Sequence, residues 1–319
     1  MSGTRTKIWT LLLLLILLFG FSSPGSFTHS VSEVSAVTGV ATLCSSLPGG
    51  DQAGGIYPTK GGAFVEDQKV ANLIFCGGGT SKIIATAPFT ALADDSMTGI
   101  VTTAHGLVLA LASDDNGGFW LCYHATASGC GSKSPFIFVD ASNSGNFCKS
   151  EHAGFCNVHS IALDNSLNVY YVDLANGVLV ECLRGTGSYS SCNNLPASSA
   201  FAGHSPNALF LRGTEFYVGD GACAGALWVG TKSSLTLVAS LGDRIDSITV
   251  STDNPQKSPH IYLGIAGSCN SVPAHVLDYN DMITLPTPFT APGDLYGLDK
   301  ALQITTSFPG AAYRLTDSS

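Results

Sequence analysis

The sequence predicts an all-β protein, a six-bladed β-propeller in which an N-terminal strand closes the last blade. Three observations carry that expectation. Beyond residue 25 the apolar residues fall in runs of four to eight, rich in Val, Ile, Tyr and Phe and bounded by Gly, Asn, Asp and Ser. That pattern marks short strands and tight turns, and no long amphipathic helix interrupts it. A two-strand phrase then recurs along the chain, and internal repeats separate a propeller from a sandwich or a single barrel. Finally, the last copy stops one strand short, while a strand-like segment stands before the first.

Taken in order, the chain opens with Arg5 and Lys7, an apolar run from Ile8 to Phe21, and the small or turn-forming residues Ser22, Ser23, Pro24 and Gly25. This is the three-part layout of a secretory signal peptide. The run is shorter than the roughly 18 apolar residues that a membrane-spanning helix needs. The expected division is a signal peptide at 1–25, a linker at 26–33 and a propeller at 34–319. The expected location is secreted or at the cell surface, with no stable membrane insertion after signal cleavage.

The best copies of the repeat are Ser160 to Asp164 followed by Asn168 to Asp173, and Asn207 to Leu211 followed by Glu215 to Asp220, which align without a gap. Starting from Gly55, Gly99, Ser160, Asn207, Ser247 and Tyr296, the units are spaced by 44, 61, 47, 40 and 49 residues. A four-stranded blade takes roughly 40–50 residues. The long second interval, of 61 residues, holds a Ser/Asn/Gly-rich insertion, 141–157. Because the sixth unit ends at Leu315, the segment Val37 to Leu43 is expected to form its outer strand, which removes the open edges of the ring.

All ten cysteines follow the signal, and an even number in an exported chain points to disulfides. No C-x-x-C spacing favours zinc. Spacing suggests local bridges Cys122–Cys130, Cys148–Cys156 and Cys182–Cys192; among the four cysteines that remain, Cys44–Cys76 and Cys223–Cys269 are the expected pairs, with other pairings left open by the sequence. Charged residues are only 12% of the chain, and the net charge of −9 becomes more negative once Arg5 and Lys7 leave with the signal. A chain of that sign does not suit nucleic acid or an anionic membrane as a partner.

The succession Ser160-Ile161-Ala162-Leu163-Asp164, Asn168-Val169-Tyr170-Tyr171-Val172-Asp173 and Gly177 to Cys182 resembles the blades of NHL-repeat propellers. That group includes SMP-30/gluconolactonase-like and streptogramin-lyase-like proteins. The resemblance covers nearly all of the mature chain as a rhythm, with good copies at 158–182 and 205–229. It implies a ligand site at the channel mouth where the innermost strands begin. His159-Ser160-Ile161 resembles the His-Gly-Ile of the lyase-like enzymes, and Pro206-Asn207 resembles the Pro-Asn-Gly of SMP-30-like metal sites.

Under that resemblance His159 and His204 are the candidate catalytic residues, Asp246 and Asp294 the candidate metal ligands, and Asn207 and Ser160 the candidate substrate-binding residues. The metal would be a divalent ion, calcium or zinc. The pattern is incomplete: Gly54, Pro206 and Leu295 offer no ligand side chain, and Ser160 and Ala208 stand where the families carry glycine.

Other signatures fall away. Gly77-Gly78-Gly79-Thr80-Ser81-Lys82 lacks the ending of a phosphate loop, and Asp114-Asp115-Asn116-Gly117-Gly118 lacks the spacing of an EF-hand. Neither a G-x-S-x-G elbow nor H-E-x-x-H occurs. His105, His124, His152, His260 and His275 share no spacing and are expected in loops or on strand surfaces rather than as ligands. Two functions remain open: an extracellular binding or structural module for a protein or glycan partner, not an enzyme and with no certain cofactor; or a metal-dependent lactonase or lyase at the channel mouth. A subunit of a surface assembly is a third arrangement compatible with the low charge.

Overall fold

The computed structural model describes residues 40–48, 52–88, 97–112, 118–133, 137–138, 158–174, 176–185, 189–251, 259–295, 297–299, 302–307 and 310–315. The predicted signal peptide and linker lie outside these residues. So does the loop containing Cys148 and Cys156.

Strand β1 (Val40–Cys44) precedes six antiparallel blades. Blade I is β2 (Ala53–Thr59), β3 (Gly62–Asp67), β4 (Asn72–Gly77) and β5 (Thr80–Thr86). Blade II is β6 (Met97–Thr102), β7 (Gly106–Ala112) and β8 (Gly118–Tyr123). Its fourth position is shared by two short strands, β9 (Ser132–Lys133) and β10 (Ile137–Phe138), which both pair with β8. Blade III is β11 (Val158–Leu163), β12 (Val169–Asp173), β13 (Val178–Arg184) and β14 (Tyr189–Asn194). Blade IV is β15 (Pro206–Arg212), β16 (Glu215–Asp220), β17 (Ala226–Thr231) and β18 (Ser234–Ser240), and blade V is β19 (Ile245–Val250), β20 (Ile261–Ile265), β21 (His275–Asp278) and β22 (Ile283–Leu285). The sixth blade contains β23 (Gln303–Ser307) and β24 (Gly310–Leu315), with Leu298 bridging Ile304 on the inner side.

The missing outer strand of blade VI is β1, which pairs antiparallel with β24 from Val40 opposite Leu315 to Cys44 opposite Ala312. Ring closure therefore joins the two ends of the propeller sequence, as the truncated last repeat predicts. Cys44 then bonds to Cys76 in β4, so the closing strand is also tied to blade I. Gly79 donates its amide to Leu43 O, and Ser81 Oγ donates to Ser46 O, on the same seam.

Burial explains why the strands read as apolar runs on both faces. Each blade is a sheet packed between two others, and the core divides into six hydrophobic clusters, one at each blade boundary. Trp120 lies between blades I and II, Tyr171 between II and III, Trp228 between III and IV, and Tyr217 between IV and V. Burying a large side chain of this kind contributes about 1.5–3 kcal/mol. Gly177 turns blade III from β12 to β13 at φ +62°, a conformation that a side chain would oppose.

Polar side chains latch the inner strands at four boundaries. Ser160 Oγ sits 3.1 Å from Leu209 N and 3.4 Å from Leu209 O, joining blades III and IV. Asn207 Nδ2 donates to Ile245 O at 3.0 Å, joining IV and V. Ser247 Oγ donates to Leu295 O at 2.6 Å, joining V to the entry of VI. Thr305 Oγ1 donates to Gly54 O at 2.7 Å, joining VI and I. At that seam a Cβ on Gly297 would lie 2.4 Å from Gly54 O, so the close approach requires glycine.

Replacing Thr305 with valine keeps the shape but leaves the Gly54 carbonyl without this donor. The expected loss is about 1–2 kcal/mol. A urea midpoint lowered at constant slope would verify it, and an unchanged midpoint would show that the seam is held by packing alone.

Candidate functional site

The inner strands surround a channel cavity of about 230 Å³, lined by residues of β2, β6, β11, β15 and β19 together with Leu298 and Asp299. Its wall mixes large side chains such as Tyr57, Met97, Phe210 and Arg212 with small ones such as Gly99, Ser160 and Ala162. Within the cavity Tyr57 is held above the usual tyrosine pKa, first by burial and then by the negative charge of Asp299. Thr249 also lines the wall, and its buried hydroxyl has no hydrogen-bond partner among the described residues.

Of the six residues predicted for a site, only Ser160 lines this cavity. It is buried, and its hydroxyl faces the Leu209 backbone. Asn207 is likewise buried, with its amide on Ile245 O and, at 3.4 Å, on Asp246 Oδ1. His159 is buried within β11. The structure therefore places these three in the inner-strand layer, where Ser160 and Asn207 bridge neighbouring blades.

Asp246 and Asp294 do converge, but around a guanidinium. Arg244 Nε donates to Asp246 Oδ1 at 2.6 Å and its Nη2 to Asp246 Oδ2 at 3.1 Å, while Nη2 also donates to Asp294 Oδ1. The Leu295 amide adds a bond to Asp246 Oδ2 at 2.9 Å. Asp246 is fully buried, and burial raises its pKa despite the opposing pull of Arg244 and the Leu295 amide. The positive charge that a divalent ion would bring here is supplied by Arg244, and the carboxylate oxygens facing it are already occupied. This donor set does not fit a metal ion.

The alternation Arg244-Ile245-Asp246 is the signal for this contact, because residues two apart on a strand share a face. Asp243 turns the other way. It accepts the amides of Arg244, Cys269 and Asn270 and so orders the loop that Cys269 ties to Cys223 of blade IV.

His204 stands in the turn before β15. Its Nδ1 lies 2.9 Å from Oδ2 of the buried Asp220, and its ring meets Trp228 edge-on at 4.9 Å. Asp220 also accepts the amides of Ser205 and Ala222, so the imidazole is held by a carboxylate that is itself fixed. The His204 side chain remains 30% exposed. Such a pair can hold one tautomer of histidine and direct its other nitrogen outward.

Three ligand-type groups meet at the other end of blade V: His260, Asp278 and Asp281. The sequence places His260 among scattered loop or strand-surface histidines not expected as ligands; its partners lie 18 and 21 residues later and become neighbours only when β20 pairs with β21.

Four of the predicted cysteine pairs are present as disulfides: Cys44–Cys76, Cys122–Cys130, Cys182–Cys192 and Cys223–Cys269. Two staple single blades and two cross blade boundaries. Among the described residues no helix is long and apolar enough to cross a membrane.

No family model and no curated protein matches the chain in sequence. In structure it is similar to a streptogramin B lyase, at 10% identity and a TM-score of 0.52, over 87% of this chain and 97% of the other. A structural-genomics target assigned as a gluconolactonase aligns at 12% identity and 0.53, over 88% and 94%. A Bacteroides thetaiotaomicron protein of unknown function aligns at 13% and 0.56, over 86% and 74%. The chain is thus a six-bladed β-propeller with the architecture of these proteins, and the likeness is one of fold.

Proposed function

We propose that this chain is an exported, disulfide-stabilised propeller that works as an extracellular binding module for a protein or glycan. The observation that carries this reading is Arg244, whose guanidinium takes up the two carboxylates that a metal-dependent lactonase or lyase would need at this mouth. Asn207 and Ser160, the substrate-binding residues of that alternative, are engaged between blades. Four disulfides support an oxidising compartment, and the negative charge supports a partner other than nucleic acid.

The test combines metal content with ligand capture. Oxidised mature protein is dialysed free of metal, offered calcium and zinc, and measured by elemental mass spectrometry beside His159→Ala and Asp246→Ala. The expected result is the same metal content in all three proteins. A stoichiometric ion lost from either variant would replace this reading with the enzyme. Labelled protein on arrays of extracellular glycans and polypeptides should then retain a saturable partner, and a blank on both arrays counts against the module.

One observation favours a second reading as lactonase or lyase without a metal. His204 held by buried Asp220 has the form of an oriented general base. Turnover of a lactone or cyclic depsipeptide by the native protein, lost in His204→Gln, would establish it.

A further inference from the structure

At the end of blade V opposite Arg244, β19 and β20 meet with Val250 paired to Ile261, and β21 ends at Asp278. Here His260 Nδ1 lies 2.7 Å from Asp278 Oδ2 and 3.9 Å from Asp281 Oδ2. All three ligand atoms fall within 4.8 Å of one another. The imidazole is stacked on Tyr262, with ring centroids 6.0 Å apart and planes at 23°. Asp278 is buried and spends Oδ1 on the Asn280 amide, and Asn280 Oδ1 in turn accepts the Ile261 amide. Two of the donors are therefore positioned before any ligand arrives, whereas Asp281 is 45% exposed and able to swing.

Charge distinguishes this cluster from the other polar groups of the molecule. Asp246 and Asp294 share Arg244, and Asp220 faces His204 alone. Among the described residues Asp278 and Asp281 form no ion pair with lysine or arginine, and the one basic group paired with them there is His260. Even with that histidine protonated, two carboxylates leave a net negative charge, and with it neutral the deficit is two.

We propose that His260 Nδ1, Asp278 Oδ2 and Asp281 Oδ2 form a binding site for a divalent cation of zinc type. One imidazole and two carboxylates suit a borderline ion, whereas calcium takes six to eight oxygens and has little use for a nitrogen. Ligands at about 2.0–2.2 Å from a shared ion require only that His260 and Asp278 part slightly and that Asp281 close in. Three protein donors leave a position for water. The ion would tie the start of β20 to the turn before β22, a strand of three residues at the outer edge of the blade. This site is separate from the channel mouth, and it stands whether or not the propeller is a binding module.

The test is calorimetric titration of the oxidised, metal-free protein with zinc chloride, paired with thermal melting. The native protein should take up one equivalent and melt at a higher temperature when loaded. His260→Ala and Asp281→Asn should each weaken binding by more than about tenfold, since even outer-shell changes cost 10–100-fold at such sites. His275→Ala, at a half-buried histidine of β21 on the same blade, should bind as the native chain does. Because Asp281 lies at the surface, its asparagine variant keeps the test independent of folding. No saturable uptake by the native protein, or undiminished uptake by either ligand variant, overturns the proposal.

Discussion

Replacing Arg244 with methionine is expected to lower the unfolding free energy by about 3–5 kcal/mol at neutral pH, because the substitution strands a buried carboxylate that has lost its partner. Asp246 lies at 0% exposure between blades V and VI, with Arg244 on one side and the Leu295 amide on the other. Methionine preserves the stem that packs along the strand but offers no donor. Asp294 is 42% exposed and can turn to water, so the loss falls on Asp246.

The pH dependence has a definite sign. Burial already raises the Asp246 pKa above the ordinary carboxylate value, so the folded protein holds this proton more tightly than the unfolded chain does. Stability from this group is full below the ordinary range and declines as pH rises through the folded-state pKa. Without the guanidinium the upward shift grows, and the decline runs deeper and extends to higher pH. The deficit of Arg244→Met should therefore be smallest in acid and largest near neutrality, in urea titrations from pH 4 to 8. Adding Asp246→Asn should restore much of it by removing the charge. A deficit that does not vary with pH would mean that Arg244 acts by packing and that the ion pair is incidental.

Converting both Cys44 and Cys76 to serine is expected to cost about 4 kcal/mol, from the chain entropy regained by a loop with its ends 32 residues apart. The same change at Cys182 and Cys192, which are 10 residues apart within blade III, should cost about 3 kcal/mol. The difference in character should exceed the difference in energy. Cys182 and Cys192 are directly opposed on paired strands, so blade III keeps its ladder when they are replaced. Cys44 anchors a five-residue strand whose loss would reopen the edge of β24 and unseat blade VI from blade I. Limited proteolysis should then cut the segment between β1 and β2 in the Cys44 variant well before global unfolding. Equal protection in both variants would show that β1 is held by its ladder with β24 alone.

Much of the architecture was legible because its signals are local. Val169 to Asp173 and Glu215 to Asp220 announce strands by their own side chains, and Cys122 and Cys130 or Cys182 and Cys192 are separated by a single hairpin. The closing strand was readable too, since a repeat that ends short at Leu315 needs a partner and the segment before Cys44 has the pattern to supply one. Blade II departs at its outer edge, where β9 and β10 share the place expected for one strand. The site was less legible. His159, Ser160, Asn207, Asp246 and Asp294 fall in three adjacent columns of the repeat, which brings them to one end of the inner strands without saying what each side chain meets there.

The sequence by itself determined the strand pattern, the number of blades, the manner of closure and the local bridges Cys122–Cys130 and Cys182–Cys192, because strand period, repeat length and loop span are properties of neighbouring residues. Only the tertiary structure decided the chemistry at the ends of the blades. Arg244 enters between Asp246 and Asp294 across a 50-residue separation, Ser160 finds Leu209 across 49, and Asp278 and Asp281 reach His260 only through the pairing of β20 with β21. Each of these contacts exists because closing the ring sets blade against blade and strand against strand. Whether a carboxylate there meets a guanidinium or an imidazole depends on which side chains that closure brings within a few ångströms.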